Sequence, residues 1–214
     1  MRLDAVARFL QDIATDDARD AGLEDGWVVR RTTMHVAAVP RFRDDVDLVT
    51  RCTGLSRSAA ERCTDLTVDG TPAIETVSLW AFVGADGRPA RIDRSAFARY
   101  GIPEDSPRIG TRLSHPDPPS GLAEDPWSLR VADVDVLGHV NNAVSWAVLE
   151  EVLAGLGVEP RAPFTAEIEF RAPLAPGDAP AVLVEPGDEV RAWVVCGGEV
   201  RTSARYSPGV PDRS

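Results

Sequence analysis

The chain has 214 residues, 43% hydrophobic and 27% charged, with a formal net charge of −11. That composition fills the core of one large or two small domains and excludes a disordered chain. The acidic balance argues against nucleic-acid binding, which depends on Lys and Arg neutralising phosphate. No apolar run reaches the roughly 20 residues of a membrane helix, and the amino terminus is amphipathic rather than a secretory core, so no membrane association and a cytoplasmic location are expected. All 23 basic residues are arginine, which excludes a catalytic lysine or Schiff base in this chain.

In chain order, Leu3, Val6, Ala7, Leu10, Ile13 and Ala14 recur at helical spacing and predict an amphipathic helix ending near Gly22. Alternating segments predict strands at 27–39, 46–53, 62–68 and 74–83. His35, on the first of these, is expected to be a partly buried structural residue, with a place facing a ligand pocket as its other option. The segment 94–125 contains Ser95-Ala-Phe-Ala-Arg-Tyr100, a short helix, and is then rich in Pro, Asp, Ser and Gly, as an interdomain connection would be. His115 lies there in Ser114-His-Pro-Asp-Pro-Pro119 and is expected on a surface loop. Residues 127–132 alternate as a strand would, and further strands are predicted at 164–171, 181–184, 190–195 and 200–206.

Between them runs Asp133-Val-Asp135-Val-Leu137-Gly138-His139-Val140-Asn141-Asn142, followed by Ala143, Val144, Ala147, Val148 and Val152 at helical spacing. The polar cluster therefore sits on a strand-to-helix turn, where the first helical N–H groups lack intrahelical partners and lie at the positive end of the dipole. Such a turn can hold an oxyanion or polarise a carbonyl. Gly138 allows a tight turn and close ligand approach, His139 titrates near neutral pH, and Asp135 stands four residues earlier as a base or nucleophile. Residue by residue, the alternatives are that Asp133 or Asp135 caps the helix and that Asn141 and Asn142 satisfy turn backbone.

Cys52, Cys63 and Cys196 form no CxxC and no even framework, so they are expected as unpaired thiols. The three histidines are scattered; no metal site and no cofactor are expected. A shift of 133 positions places Ala21-Gly22-Leu23 on Ala154-Gly155-Leu156, Pro40 on Pro173 and Asp45 on Asp178, a weak internal repeat. The strand and polar turn before the second helix have no counterpart before the first, so one active site per chain is expected.

Asp-x-Asp-x-x-Gly-His-Val-Asn-Asn with an aromatic-bearing helix after it resembles the active-site turn of hotdog-fold thioesterases. Over most of its length the chain resembles the acyl-acyl carrier protein thioesterases (acyl-ACP thioesterases). In the first half, Phe9-Leu-Gln-Asp-Ile-Ala-Thr-Asp-Asp17, Trp27-Val-Val-Arg-Arg31 and residues 40–45 are similar to that family's first hotdog domain. The resemblance implies an α+β tandem (double) hotdog fold of two antiparallel sheets, each wrapped on a central helix. The expected division is an N-terminal hotdog domain at 1–93 with its first strand missing, a linker at 94–125 and a C-terminal hotdog domain at 126–214 carrying the active-site turn. An upstream true start is one way to account for that missing strand. The two copies would form a pseudo-dimer within one chain, with further homodimerisation left open.

The activity implied is hydrolysis of fatty acyl thioesters carried by acyl carrier protein or coenzyme A. N–H groups at Gly138, His139 or Val140 would polarise the carbonyl. Asp135 would activate water or attack directly, His139 would orient or help protonate the leaving group, and Asn141 and Asn142 would hold the turn. Val140, Asn142 and Trp146 are expected to contact substrate. Two positions depart from the plant-type pattern: Leu137 replaces an asparagine two residues before the histidine, and Pro173 and Leu174 replace an acid or cysteine on the next strand. Those departures keep an inactive acyl-binding protein as an alternative, with a hotdog hydratase or dehydratase behind it. Arg30, Arg31, Arg41, Arg43, Arg51 and Arg57 offer a docking patch for an acidic carrier, or simply line solvent-facing strand positions.

Overall fold

Leu3, Val6, Ala7, Leu10 and Ala14 bury one stripe of α1 (Leu3–Ala21) in the computed structural model, which describes residues 1–23, 26–102, 106, 108–135 and 138–209. Gly22, at φ 68°, ends the helix by donating its N–H to Arg19, while Leu23 donates to Ala18. Four strands follow, β1 (Trp27–Val36), β2 (Val46–Leu55), β3 (Ala59–Val68) and β4 (Thr71–Phe82), then a 3-10 turn at Arg94–Tyr100. After a long connection come β5 (Asp125–Pro126), a 3-10 turn at Val131–Asp133, α2 (Ala143–Gly155), β6 (Phe164–Phe170), β7 (Ala181–Glu185), β8 (Val190–Cys196) and β9 (Glu199–Pro208).

The strands form one nine-stranded antiparallel sheet in the order β2-β3-β4-β1-β6-β9-β8-β7-β5. The two expected sheets are therefore continuous: β1 pairs with β6 from Arg31↔Glu169 to Val36↔Phe164. Each half would otherwise leave a central strand with an unpaired edge, and joining them satisfies both ladders. The two helices pack on the same face. Met34, Val36, Ala166 and Ile168 of the junction strands meet Leu3, Val6, Trp146 and Leu149 in one core. α2 is apolar nearly all round because it lies at the centre, with Ala143 through Leu149 all buried.

The internal repeat is real but not gapless. The αL glycine that ends α2 is Gly157 (φ 70°), with Val158 donating to Leu153, so Gly22 corresponds to Gly157 rather than Gly155. After β1, the Arg41 N–H bonds Asp44 Oδ2 at 2.6 Å; after β6, the Ala175 N–H bonds Asp178 Oδ2 at 2.8 Å, so Asp178 matches Asp44 and not Asp45.

Two further expectations change. Residues 127–132 are not a strand: only Asp125 and Pro126 pair with β7, and the chain then tightens because Asp133 Oδ2 accepts the Arg130 N–H at 2.8 Å. His115 is not on an exposed loop. The linker crosses the sheet face opposite the helices, and Glu169 on buried β6 accepts the N–H groups of Ser114 at 2.6 Å and His115 at 3.1 Å. Trp193 Nε1 donates to Pro116 O at 2.9 Å, which ties the same strap to β8. The six arginines do not gather: Arg30 and Arg31 bond backbone carbonyls of Arg171 and Arg112, and Arg51 pairs with Asp65. Arg43 and Arg57 flank opposite ends of β2, whose ten residues span roughly 30 Å. The three cysteines are free, and burial pushes Cys52 and Cys63 up to about 11. No helix among the described residues is long and apolar enough to cross a membrane.

Candidate active site

Residues 133–135 and 138–142 are tied to one another at the start of α2. The Asp135 N–H donates to His139 O at 2.8 Å, the Gly138 N–H to Asp135 O at 3.0 Å, and the His139 N–H to Asp135 Oδ1 at 3.0 Å. Gly138 sits at φ 79°, a conformation costly to a residue with a Cβ. The Asn141 N–H reaches back to Asp133 O at 2.8 Å, anchoring the turn to the preceding 3-10 segment. Asp133 is itself buried. Burial works to raise its pKa, but hydrogen bonds and charge from Arg130 outweigh it and hold the carboxyl below its ordinary range. Asp133 is thus a structural clamp, and Asp135 is the carboxylate of the turn that lines the cavity.

The three N–H groups expected to polarise a carbonyl are engaged within the protein. Besides the Gly138 and His139 bonds above, the Val140 N–H points at Leu174 O, 3.4 Å away. The two asparagines take different positions. Asn141 Oδ1 accepts the Ala143 N–H at 2.8 Å and so caps α2. Asn142 begins the helix and lines the cavity, and neither its side chain nor its N–H is hydrogen-bonded among the described residues. Trp146, expected to contact substrate, is 1% exposed in the core and borders a void of about 20 Å³ rather than the main cavity. Val140 and exposed His139 both line the main cavity, as do Pro173 and Leu174. Leu137 lies outside the described residues.

That cavity, of about 1060 Å³, runs from the turn into the first half of the chain, where exposed Val28, Gly87, Pro89 and Thr111 also border it. Ser145 and Thr202, whose hydroxyls are 3.4 Å apart, form its wall beside Asn142. Phe170, Val29 and Trp80 carry it across the β6–β1–β4 region, and Ala14, Ala18, Ala60 and Phe97 line it between α1 and the first-half sheet. Ser145 is the one polar residue in the buried run Ala143–Leu149 of α2, a signal visible in the sequence; Thr202 on alternating β9 carried none. A carboxylate, a histidine, an unengaged amide and a long cavity behind them suit addition of water to the carbonyl of a long acyl chain.

His35 lies on the opposite sheet face, its Nδ1 3.2 Å from Thr165 Oγ1, and does not line the cavity. On that face His115, Glu167 and Glu169 bring ligand atoms within 4.8 Å of one another. Their partners are protein groups: Glu167 receives His115 Nε2, Thr33 Oγ1 and Arg205 Nη2, and Glu169 receives two linker N–H groups. The cluster is a buried lock that straps the linker to the sheet.

Residues 1–100 match the family model of the acyl-ACP thioesterase N-terminal domain, and residues 119–204 that of the acyl-ACP thioesterase C-terminal domain. The uncharacterized protein Rv2001 of Mycobacterium tuberculosis is 30% identical over 209 residues, covering 95% of this chain and 83% of that protein. Among solved structures, an acyl-ACP thioesterase from Bacteroides thetaiotaomicron superposes with a TM-score of 0.82 at 19% identity, over 97% of this chain and 89% of that one. The 12:0-ACP thioesterase from Umbellularia californica superposes with a TM-score of 0.73 at 19% identity, over the same 97% and 89%. These matches agree with the double hotdog sheet and the cavity behind the Asp135 turn: the chain belongs to the acyl-ACP thioesterase family and is a thioesterase acting on fatty acyl thioesters.

Proposed function

We propose that Asp135 is the general base of thioester hydrolysis in this chain, with Asn142 as the carbonyl donor and His139 at the leaving-group side. The observation that carries the proposal is that Asp135 and Asn142 share one end of a cavity deep enough for an acyl chain. The His139 N–H fixes the Asp135 carboxylate through Oδ1. Asp135 takes a proton from water as the water oxygen bonds to the carbonyl carbon. The oxygen charge that develops is met by the Asn142 amide. Collapse breaks the C–S bond, and the departing thiolate takes a proton from Asp135 or from His139, leaving a free fatty acid and a thiol. Exposed His139 suits a leaving group that reaches in from solvent, as the thiol of a carrier would.

On this reading 126–214 does the chemistry and 1–93 houses the chain, the segment 94–125 strapping the two together. Acyl carrier protein is the proposed carrier, on the strength of the family. Thiol release from acyl carrier protein and coenzyme A thioesters of graded length tests both points. Asp135→Asn should abolish release while the thioester still binds. Bound but uncleaved thioesters with the unaltered protein would instead favour an acyl-binding protein, for which the apolar Pro173 and the engaged Gly138, His139 and Val140 N–H groups speak.

A further inference from the structure

The nine-stranded sheet ends differently on its two sides. At one edge β5 contributes two residues and closes on Pro126, which has no N–H to offer. At the other, β2 runs for ten residues and pairs only with β3 among the described residues. A long open edge presents a row of backbone donors and acceptors that a further strand can complete. The Asp69 N–H donates to Asp45 O at 3.4 Å, and the antiparallel register carries that hydrogen-bonded pairing on to Asp47↔Thr67, Val49↔Asp65 and Arg51↔Cys63. The backbone groups of Val46, Leu48, Thr50 and Cys52 therefore point away from β3, toward the free edge. A bulge between Cys52 and Gly54 ends this regular run, whose midpoint is Val49.

Val46 and Leu48 pack against the helix core, so Asp47, Val49 and Arg51 stand on the opposite sheet face. Val49 is 59% exposed there, Asp47 is exposed and forms no ion pair among the described residues, and Arg51 pairs with Asp65 while remaining half exposed. A two-fold axis through Val49 would lay β2 antiparallel along β2 of a second copy. Leu48 then bonds Thr50 of the other copy and Val46 bonds Cys52, all residues whose backbone groups already face the edge. A register changed by one residue would set those groups against ones spent on β3, and a register changed by two would leave Asp47 opposite Val49 or Thr53. In the register centred on Val49, the pairs whose side chains come closest are Val49 with Val49 and, on both sides of the axis, Asp47 with Arg51. Charged residues ordinarily blunt an edge; this symmetric pairing sets each against its opposite. We infer that two copies of this chain associate edge to edge through β2, antiparallel and centred on Val49, and so join their sheets.

Sedimentation equilibrium of the full chain should show monomer and dimer exchanging with concentration. Asp47→Arg sets like charges against each other on both sides of the axis and should raise the dimer dissociation constant at least about tenfold. Arg51→Asp, combined with Asp65→Asn so that the new carboxylate has no acid beside it, should do the same. Mixed in equal amounts, the two variants oppose unlike charges again at both positions and should associate about as tightly as the parent. Asp47, Arg51 and Asp65 do not line the cavity, and each variant alone should keep the parent's cooperative melting transition. A parent that stays monomeric overturns the inference, as does a dimer that Asp47→Arg leaves intact. Weakening by both variants without recovery on mixing also overturns it, because the loss would then come from somewhere other than this register.

Discussion

His115 Nε2 lies 2.9 Å from Glu167 Oε1, joining the linker to the middle of the sheet's central strand. Burial works to raise the Glu167 pKa, but hydrogen bonds from His115 and Thr33 and the nearby Arg205 outweigh it, bringing it to about 2 from an ordinary 4.5. A carboxylate depressed in the folded state stabilises fully above its unfolded pKa and loses that contribution as the pH falls through the folded one. Glu167 should therefore contribute about 3 kcal/mol above pH 4.5, lost progressively between pH 4.5 and 2. Urea unfolding should show Glu167→Gln less stable than the parent by about 3 kcal/mol at pH 7, with the gap closing at pH 2. A gap independent of pH would mean that the substitution acts through packing rather than through the charge.

The two asparagines of the turn should separate in kinetics. Asn141 caps α2 through the Ala143 N–H, so Asn141→Ala should cost about 1 kcal/mol of stability. Its turnover at saturating thioester should stay within a few-fold of the parent, as about 1 kcal/mol of stability permits. Asn142 faces the cavity instead, so Asn142→Ala should lower kcat by about 10²–10³, the cost of a lost oxyanion donor. Equal effects of the two substitutions on kcat would place both asparagines in the scaffold.

Gly138→Ala isolates the turn's backbone. A Cβ there meets nothing within 4 Å, so space is no obstacle, but φ 79° is left-handed. The expected cost is about 1–2 kcal/mol from conformation alone. Because the Gly138 and His139 N–H groups both close on Asp135, any relaxation of that strain moves the base. The kcat should fall with little change in KM, measured below the variant's melting range. Unchanged kcat would detach Asp135 from the chemistry.

Local periodicity carried α1 and the eight longer strands, whose ends fall within a few residues of the spacing-based expectation because each buries at least one face against a neighbour. The site turn was equally legible, since Gly138, His139 and the paired asparagines are adjacent in the chain. What depends on distant partners was not. His115 sits among prolines and acids and looks exposed; its burial follows from Glu167 and Glu169, more than 50 residues away, which no local pattern exposes. Trp146 follows the turn in sequence and yet points into the core, because the first half of α2, Ala143–Leu149, is enclosed on all sides. That the two copies meet as a pseudo-dimer was expected from the repeat, but which strands join them, β1 and β6, was not, being a pairing between halves.

Cavity depth should set the preferred acyl length, and Ala60 is the residue through which to change it. Ala60 lies on β3 opposite Trp80, two strands beyond β1, is 7% exposed and lines the cavity between α1 and the first-half sheet. A leucine there adds three carbons to the cavity wall. Each buried methylene of a substrate is worth about 0.8 kcal/mol, or roughly fourfold in affinity. Ala60→Leu should therefore move the kcat/KM optimum two to three carbons shorter, as an order-of-magnitude figure on that scale, with release from the shortest thioesters unaltered since the Asp135 end is untouched. A uniform loss across all lengths would mean that the chain takes another route, and that the space between α1 and the first-half sheet does not hold it.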